Sequence, residues 1–289
     1  MQKHLARVAL TGIMVGLLHP ATVAAQSAEQ PRSNERKDLS VSFTYAQPTI
    51  EQSSTANGTL SGMKYLGQER RFATQAHIWK RLLLALALHR ANLNGGQGFS
   101  TDPQGVAKSI SRYQPTASHV SHNSLKGTAE HVLPFLHSIS VGAGFDQATF
   151  AVDAVSAADG PAPLRYRTQY TSRYRGPVAF VRGAYRVWRF DFEGVAGASP
   201  WMRRTDRYQF GPEGTSTPGS ATATARAHGQ TVEGTWRLRL GGVGFFVTGW
   251  IDQIRTPRGP AAFSSDTGQT PERLRSTGFG TGVVYRFGG

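Results

Sequence analysis

Cysteine is missing altogether from the 289 residues, which excludes a disulfide framework, thiolate metal sites and cysteine nucleophiles. Carboxylates are scarce: 18 Asp and Glu stand against 32 Lys and Arg, a formal net charge of +14. That surplus calls for an acidic partner, drawn from nucleic acid, lipopolysaccharide, anionic lipid or another polyanion. Long apolar runs are lacking too. After the first 25 residues no segment reaches the roughly 18 uninterrupted apolar residues of a membrane helix. The longest, Leu82 to Leu88, is flanked by Lys80, Arg81, His89 and Arg90.

Residues 1–25 have the form of a secretory leader. Lys3, His4 and Arg7 make its positive region, Val8 to Leu18 its short apolar core, and Val23-Ala24-Ala25 a cleavage site before Gln26. Export removes nucleic acid from the expected partners. Residues 26–38 are polar, charged and without hydrophobic period, as in a flexible periplasmic lead-in. An exported chain without a helical span is periplasmic, secreted, or a barrel in the outer membrane. Closed barrels are the β-structures that satisfy their own backbone in lipid.

What the chain does have is alternation. Thr277, Phe279, Thr281, Val283, Tyr285 and Phe287 fall on one face of a strand; Ser276, Gly278, Gly280, Gly282 and Arg286 fall on the other. About 9–11 such residues cross a bilayer when tilted. Leu39 to Ala46, Ser138 to Phe145, Val178 to Arg186, Phe190 to Ala198, Thr231 to Leu240 and Val243 to Ile254 alternate similarly, and Gly241-Gly242 supplies a tight turn. In Leu164 to Arg175, Tyr166, Tyr170 and Tyr174 share one face and Arg165, Arg167, Arg173 and Arg175 the other. In a membrane barrel the tyrosine face meets lipid and the arginine face a wet lumen.

The closing strand resembles that of the bacterial outer-membrane β-barrels, whose last strand carries the recognition signal for the barrel-assembly machinery. Gly282, Tyr285 and Phe287 fill three of that signal's fixed places, whereas Gly280 stands where a polar residue belongs and Gly288-Gly289 follow the final aromatic. The resemblance implies an all-β fold, an antiparallel transmembrane β-barrel of about eight to twelve strands, with residues 39–289 in a Gram-negative cell outer membrane. Lipids, lipopolysaccharide and the assembly machinery are then its expected partners.

The stretch from 74 to 136 fits this pattern least. Thr74 to Gly96 has the composition and punctuation of a helix, capped by Thr74 and stopped by Asn94-Gly95-Gly96. A strand reading, with Ile78, Leu82, Leu84, Leu86 and Leu88 on one face, competes with it. A second short helix can begin at Pro103, and both together would make a helical insert or plug. Trp201 to Gly229 and Arg255 to Pro271 read as long surface loops.

Arg165, Arg167, Arg173, Arg175, Arg237 and Arg239 are expected to line the lumen, with Arg182 and Arg186 behind them and Asp191, Glu193 and Glu233 opposing them. Rings of arginine bias a pore toward anions; paired charges can equally fill a narrow lumen. A second cluster is His119, Ser121, His122 and Ser124 with Glu130. A histidine and a serine two apart on a strand share a face, so the base can reach the hydroxyl and a nearby acid can orient the base. His119 with Ser121, or His122 with Ser124, resembles the His-any-Ser core of outer-membrane phospholipase A and lipid A 3-O-deacylase, although the spacings to glycine and to the acid depart from both. The histidines between 119 and 137 match no metal pattern, so neither metal nor cofactor is expected. The leading functional expectation is a porin-like channel or accessory conduit in transport of an anionic solute or polysaccharide. A lipid hydrolase and a structural or surface-interaction barrel are the alternatives.

Overall fold

The computed structural model describes residues 39–56, 59–79, 81–101, 107–109, 112–113, 117–134, 138–157, 165–212, 219–257 and 272–287. Its strands are β1 (Leu39–Ala56), β2 (Thr59–Trp79), β3 (Leu82–Thr101), β4 (Ala107–Ser109), β5 (Arg112–Tyr113), β6 (Ala117–Val132), β7 (Ile139–Ala157), β8 (Arg165–Val187), β9 (Phe190–Pro212), β10 (Gly219–Leu240), β11 (Val243–Thr256) and β12 (Glu272–Phe287). All but β4 and β5 join one antiparallel ring, in which β2 pairs β3, β3 pairs β6, and β12 returns to β1. The result is a closed ten-stranded barrel. Closure removes the sheet edges that would otherwise leave backbone groups unpaired.

The strands alternate because the two sides of the wall face different surroundings. Over the half that contains Leu39 and Phe287, Phe43, Phe72, Leu86, Phe145, Trp236 and Phe279 project outward and are exposed. The inward places there carry Ser40, Ser42, Thr44 and Ser140, together with charged groups. A soluble barrel reverses this arrangement. At this end the connections are tight, including Trp188-Arg189 and Gly241-Gly242. Gly241 adopts a left-handed φ of 65° and Trp188 one of 52°, which suits a hairpin twisted like its strands.

β8 and β9 each run 23 residues, about twice what a tilted strand needs to cross a bilayer. The barrel therefore continues beyond its apolar belt as a collar. Pro48 sits within β1. The ladder to β12 runs through Pro48, while the ladder to β2 skips Gln47 and Pro48, consistent with proline's missing N–H.

The structure corrects two expectations. Thr74 to Gly96 is strand, forming the end of β2 and most of β3, and no helical insert or plug occurs among the described residues. Leu84, Leu86 and Leu88 point out while Ala85, Ala87 and His89 point in, so Leu/Ala alternation builds the wall as strand, leucine on its apolar outer face, despite its helical propensity. Trp201 to Gly229 is not a loop either: β9 extends to Pro212 and β10 starts at Gly219. The leader, the lead-in and the helix start at Pro103 lie outside the described residues.

Candidate functional site

The barrel interior is built in layers, each from residues at i and i+2 on a strand, which share a face. Nearest the tight-turn end, Asp191 receives Arg186 Nε (2.9 Å), Arg239 (3.1 Å) and Arg286 (3.5 Å). One step further in, Arg182 bridges Glu193 and Glu130, the latter at 2.7 Å, and Ser140 Oγ donates to Glu130 at 3.0 Å. A cavity of about 380 Å³ lies among these groups and Arg237.

The next layer centres on Arg71. Its Nε pairs with Glu69 at 2.7 Å, it approaches Glu233 at 3.8 Å, and its guanidinium stands 3.3 Å from the centroid of the Trp250 ring. Beyond it, His89, His122, Ser124, Lys126, Asp146 and Asp252 border a pocket of about 70 Å³.

Above that the lumen turns apolar. Ile50, Tyr65, Leu93, Val120, Phe150, Tyr174, Met202, Ala227 and Leu274 form one buried cluster, with Ile254 packed against it. Every strand of the ring contributes to it. Tyr65 on β2 and Phe150 on β7 are separated around the wall by β3 and β6, yet their ring centroids are 5.6 Å apart. Neighbouring strands alone are spaced about 4.8 Å, so this contact crosses the lumen rather than following its wall.

A polar cap covers this layer on the collar side. Arg204, 1% exposed, pairs with Asp206 (2.8 Å) and Glu272 (2.5 Å), and its Nη atoms donate to Tyr170 (2.7 Å) and Thr256 (3.1 Å). Ser172 donates to Asp206 at 2.5 Å. A buried guanidinium persists where carboxylates and hydroxyls surround it in this way.

Arg237, Arg239, Asp191 and Glu193 therefore stand on the inner face. Arg165, Arg167, Arg173 and Arg175 do not: Tyr174 and Ser172 take the interior and these arginines point outward. The reason is that this part of β8 lies above the apolar belt, where the apolar side of the strand is the buried, inner one. The sequence reading also passed over Glu69, Arg71, Arg204 and Asp206. Their signal was opposite charges two apart on one strand, the pattern of an interior ladder.

The two His/Ser pairs lie on opposite sides of the wall. His119 and Ser121 face out, with Asp153 directly opposite His119 on β7; Asp153 is held by Arg167 at 2.6 Å. His122 and Ser124 face the lumen. Glu130 belongs to the Arg182 layer. Among the described residues no group of His, Asp and Glu is arranged to hold a metal ion.

No family model matches the chain, and no characterised protein matches it by sequence. Among solved structures it is similar to the outer membrane protease OmpT from Escherichia coli, at 12% identity and a TM-score of 0.63, over 88% of this chain and 97% of that one. The fold is that of the outer-membrane β-barrels. The translocator domain of the autotransporter NalP from Neisseria meningitidis aligns over 99% of this chain and 96% of its own, at 12% identity and a TM-score of 0.42. At 12% identity the likeness to OmpT is one of fold alone.

Proposed function

We propose that this protein is an outer-membrane barrel with a lumen closed at rest, acting through its outer surface and collar as a surface-interaction protein. The observation that carries this reading is the apolar layer to which all ten ring strands contribute. Such a layer excludes ions because a charge cannot enter it without losing its water. Reconstitution into planar bilayers tests the proposal. The expected record is flat, and a steady ohmic conductance from the unmodified protein would reject a closed lumen.

A second reading, the conduit for an anionic solute, is favoured by the cavity of about 380 Å³ that Arg182, Arg186, Arg237 and Arg286 share with Asp191 and Glu193. On that reading the apolar layer is a gate, and opening by voltage or ligand would pass anions in preference to cations.

The assembly signal fits the same proposal. Tyr285 and Phe287 face outward at the end of β12, their centroids 4.5 Å apart. Gly282 faces inward, where an added Cβ would collide with the Phe43 carbonyl and the Phe246 ring. Phe287→Ala is accordingly expected to refold in detergent like the wild type yet assemble poorly in cells, while Gly282→Ala is impaired in both settings. Normal assembly of Phe287→Ala would remove the signal from this strand.

A further inference from the structure

On each strand of the ring the outward face begins, at the tight-turn end, with a stretch free of Asp, Glu, Lys, Arg, Asn and Gln. That stretch is apolar apart from Thr74, His131, Thr277 and Thr281. Above it, the first charged or amide side chain is an arginine on five strands, Arg70, Arg90, Arg175, Arg203 and Arg275, and Gln or Asn on the other five. Phe72, Leu88, Pro177 and Trp201 are the outward residues just before the first four of these arginines. Register makes the girdle level. Arg70 pairs with Arg90, Gln147 with Arg175, and Arg175 with Arg203. Where the row shifts, from Asn123 to Gln147, from Arg203 to Gln230 and from Arg275 to Gln47, it shifts toward the apolar side each time, as a ring perpendicular to the axis of tilted strands requires.

Such a row opposes itself. Like charges directly opposite on neighbouring strands repel, and Arg70 with Arg90, Arg175 with Arg203, Arg203 with Arg226 and Arg255 with Arg273 are all opposed in this way. Among the described residues the outward carboxylates on these strands are Glu51 and Asp153. Asp153 is engaged by Arg167, and Glu51 lies opposite Arg275. Among the described residues the shielded Nε atoms of Arg273 and Arg275 find no acceptor. Arginines repeated in register, with so few counter-charges on their own face, mark a surface completed by an anion from outside.

We infer that this girdle binds the phosphate groups of the phosphorylated glycolipid of the outer leaflet, with its densest sector on β8, β9 and β10. Phosphate oxygens match the guanidinium fork. The acyl chains of the same molecule would rest on the apolar wall directly below, beside Trp201, Pro177 and Ala179, so one ligand answers both halves of the surface. The inference rests on the membrane-spanning reading proposed above.

The test uses the full chain folded into phosphatidylcholine vesicles, to which phosphorylated lipid A, dephosphorylated lipid A or inorganic phosphate is added. Phosphorylated lipid A alone is expected to raise the unfolding temperature. The triple variant Arg175→Gln/Arg203→Gln/Arg226→Gln is expected to bind it on the order of a hundredfold more weakly. Should the triple variant misfold, Arg203→Gln alone, flanked by arginine on both sides, is expected to weaken binding about fivefold. Equal stabilisation by the dephosphorylated lipid or by inorganic phosphate, or unchanged affinity in the variants, overturns the inference. Flotation with plain phosphatidylcholine vesicles separates the two claims. Protein that does not float overturns the membrane reading, whereas floating protein indifferent to the lipid A phosphates overturns the girdle alone.

Discussion

Tyr65 and Phe150 meet across the barrel lumen, their ring centroids 5.6 Å apart and their planes tilted by 55°. Phe150 is 1% exposed, and with Tyr65 it belongs to the apolar layer that polar groups border on both sides. Phe150→Ala is expected to cost about 3–5 kcal/mol in folding stability, because the stiff wall cannot collapse into the space left behind. Combined with Tyr65→Ala it should also convert a silent bilayer into one with anion-preferring conductance steps. Urea unfolding in detergent and single-channel recording measure the two effects. A double variant that unfolds less readily than the wild type, or stays silent, would place the barrier elsewhere.

Arg204 holds the polar cap together. It pairs with Asp206 and Glu272, both on the inner face, so Arg204→Met strands two carboxylates beside an apolar layer. The expected loss is about 3–5 kcal/mol, as for other buried ion pairs broken from one side. Adding Asp206→Asn should restore part of it, giving a clearly non-additive cycle. Chemical denaturation of the single and double variants reads this directly, and strict additivity would mean that the two side chains act independently.

The hydrolase alternative stands on the register of Asp153 with His119. Yet His119 lies six residues beyond Leu125, the last outward apolar residue of β6, which is about 15 Å above the belt for a tilted strand. The ester bonds of a membrane lipid do not rise so far. Ser124, on the inner face, is cut off from lipid by the wall itself. Ser121→Ala and Ser124→Ala are therefore expected to leave the phospholipid and lipid A profiles of a producing strain unchanged. A shift in acyl-chain content in either variant would revive the enzyme.

The barrel was legible wherever its outer face is apolar, because there the strand period of two is unmistakable. Phe279, Val283, Tyr285 and Phe287 are on the face assigned to them. β8 shows why the collar was not. Tyr174 and Arg175 alternate as cleanly as Phe279 and Gly280, but above the apolar belt the apolar side turns inward, and alternation alone does not say which medium lies outside. Residues 219–227 hid for a related reason. Their Ala/Thr/Ser alternation has the period of a strand with too little hydrophobic contrast to register as one. Thr74 to Gly96 was lost to the opposite effect, since leucine and alanine favour helix in water while a lipid-facing wall accepts them as strand.

The inner face of β12 offers the last test. Gly278, Gly280 and Gly282 suggest open space when read as residues, but their neighbours occupy it. An added Cβ at Gly278 would collide with the Trp250 indole, over whose ring the Arg71 guanidinium stands at 3.3 Å. The missing side chains are thus the seat of a ring from β11, and the sector is filled. Gly278→Ala must push Trp250 into the Arg71 layer, at an expected cost of about 1–3 kcal/mol. Gly234 is the matched control. It faces outward between Val232 and Trp236, and a Cβ there meets nothing within 4 Å. Gly234→Ala should leave stability unchanged or raise it by about 0.5–1 kcal/mol, since alanine gives up less backbone freedom on folding. Urea midpoints of the two variants in the same detergent decide the matter. Equal midpoints would mean that the glycine strip is open lumen after all, and the resting closure would then depend on the Tyr65–Phe150 layer alone.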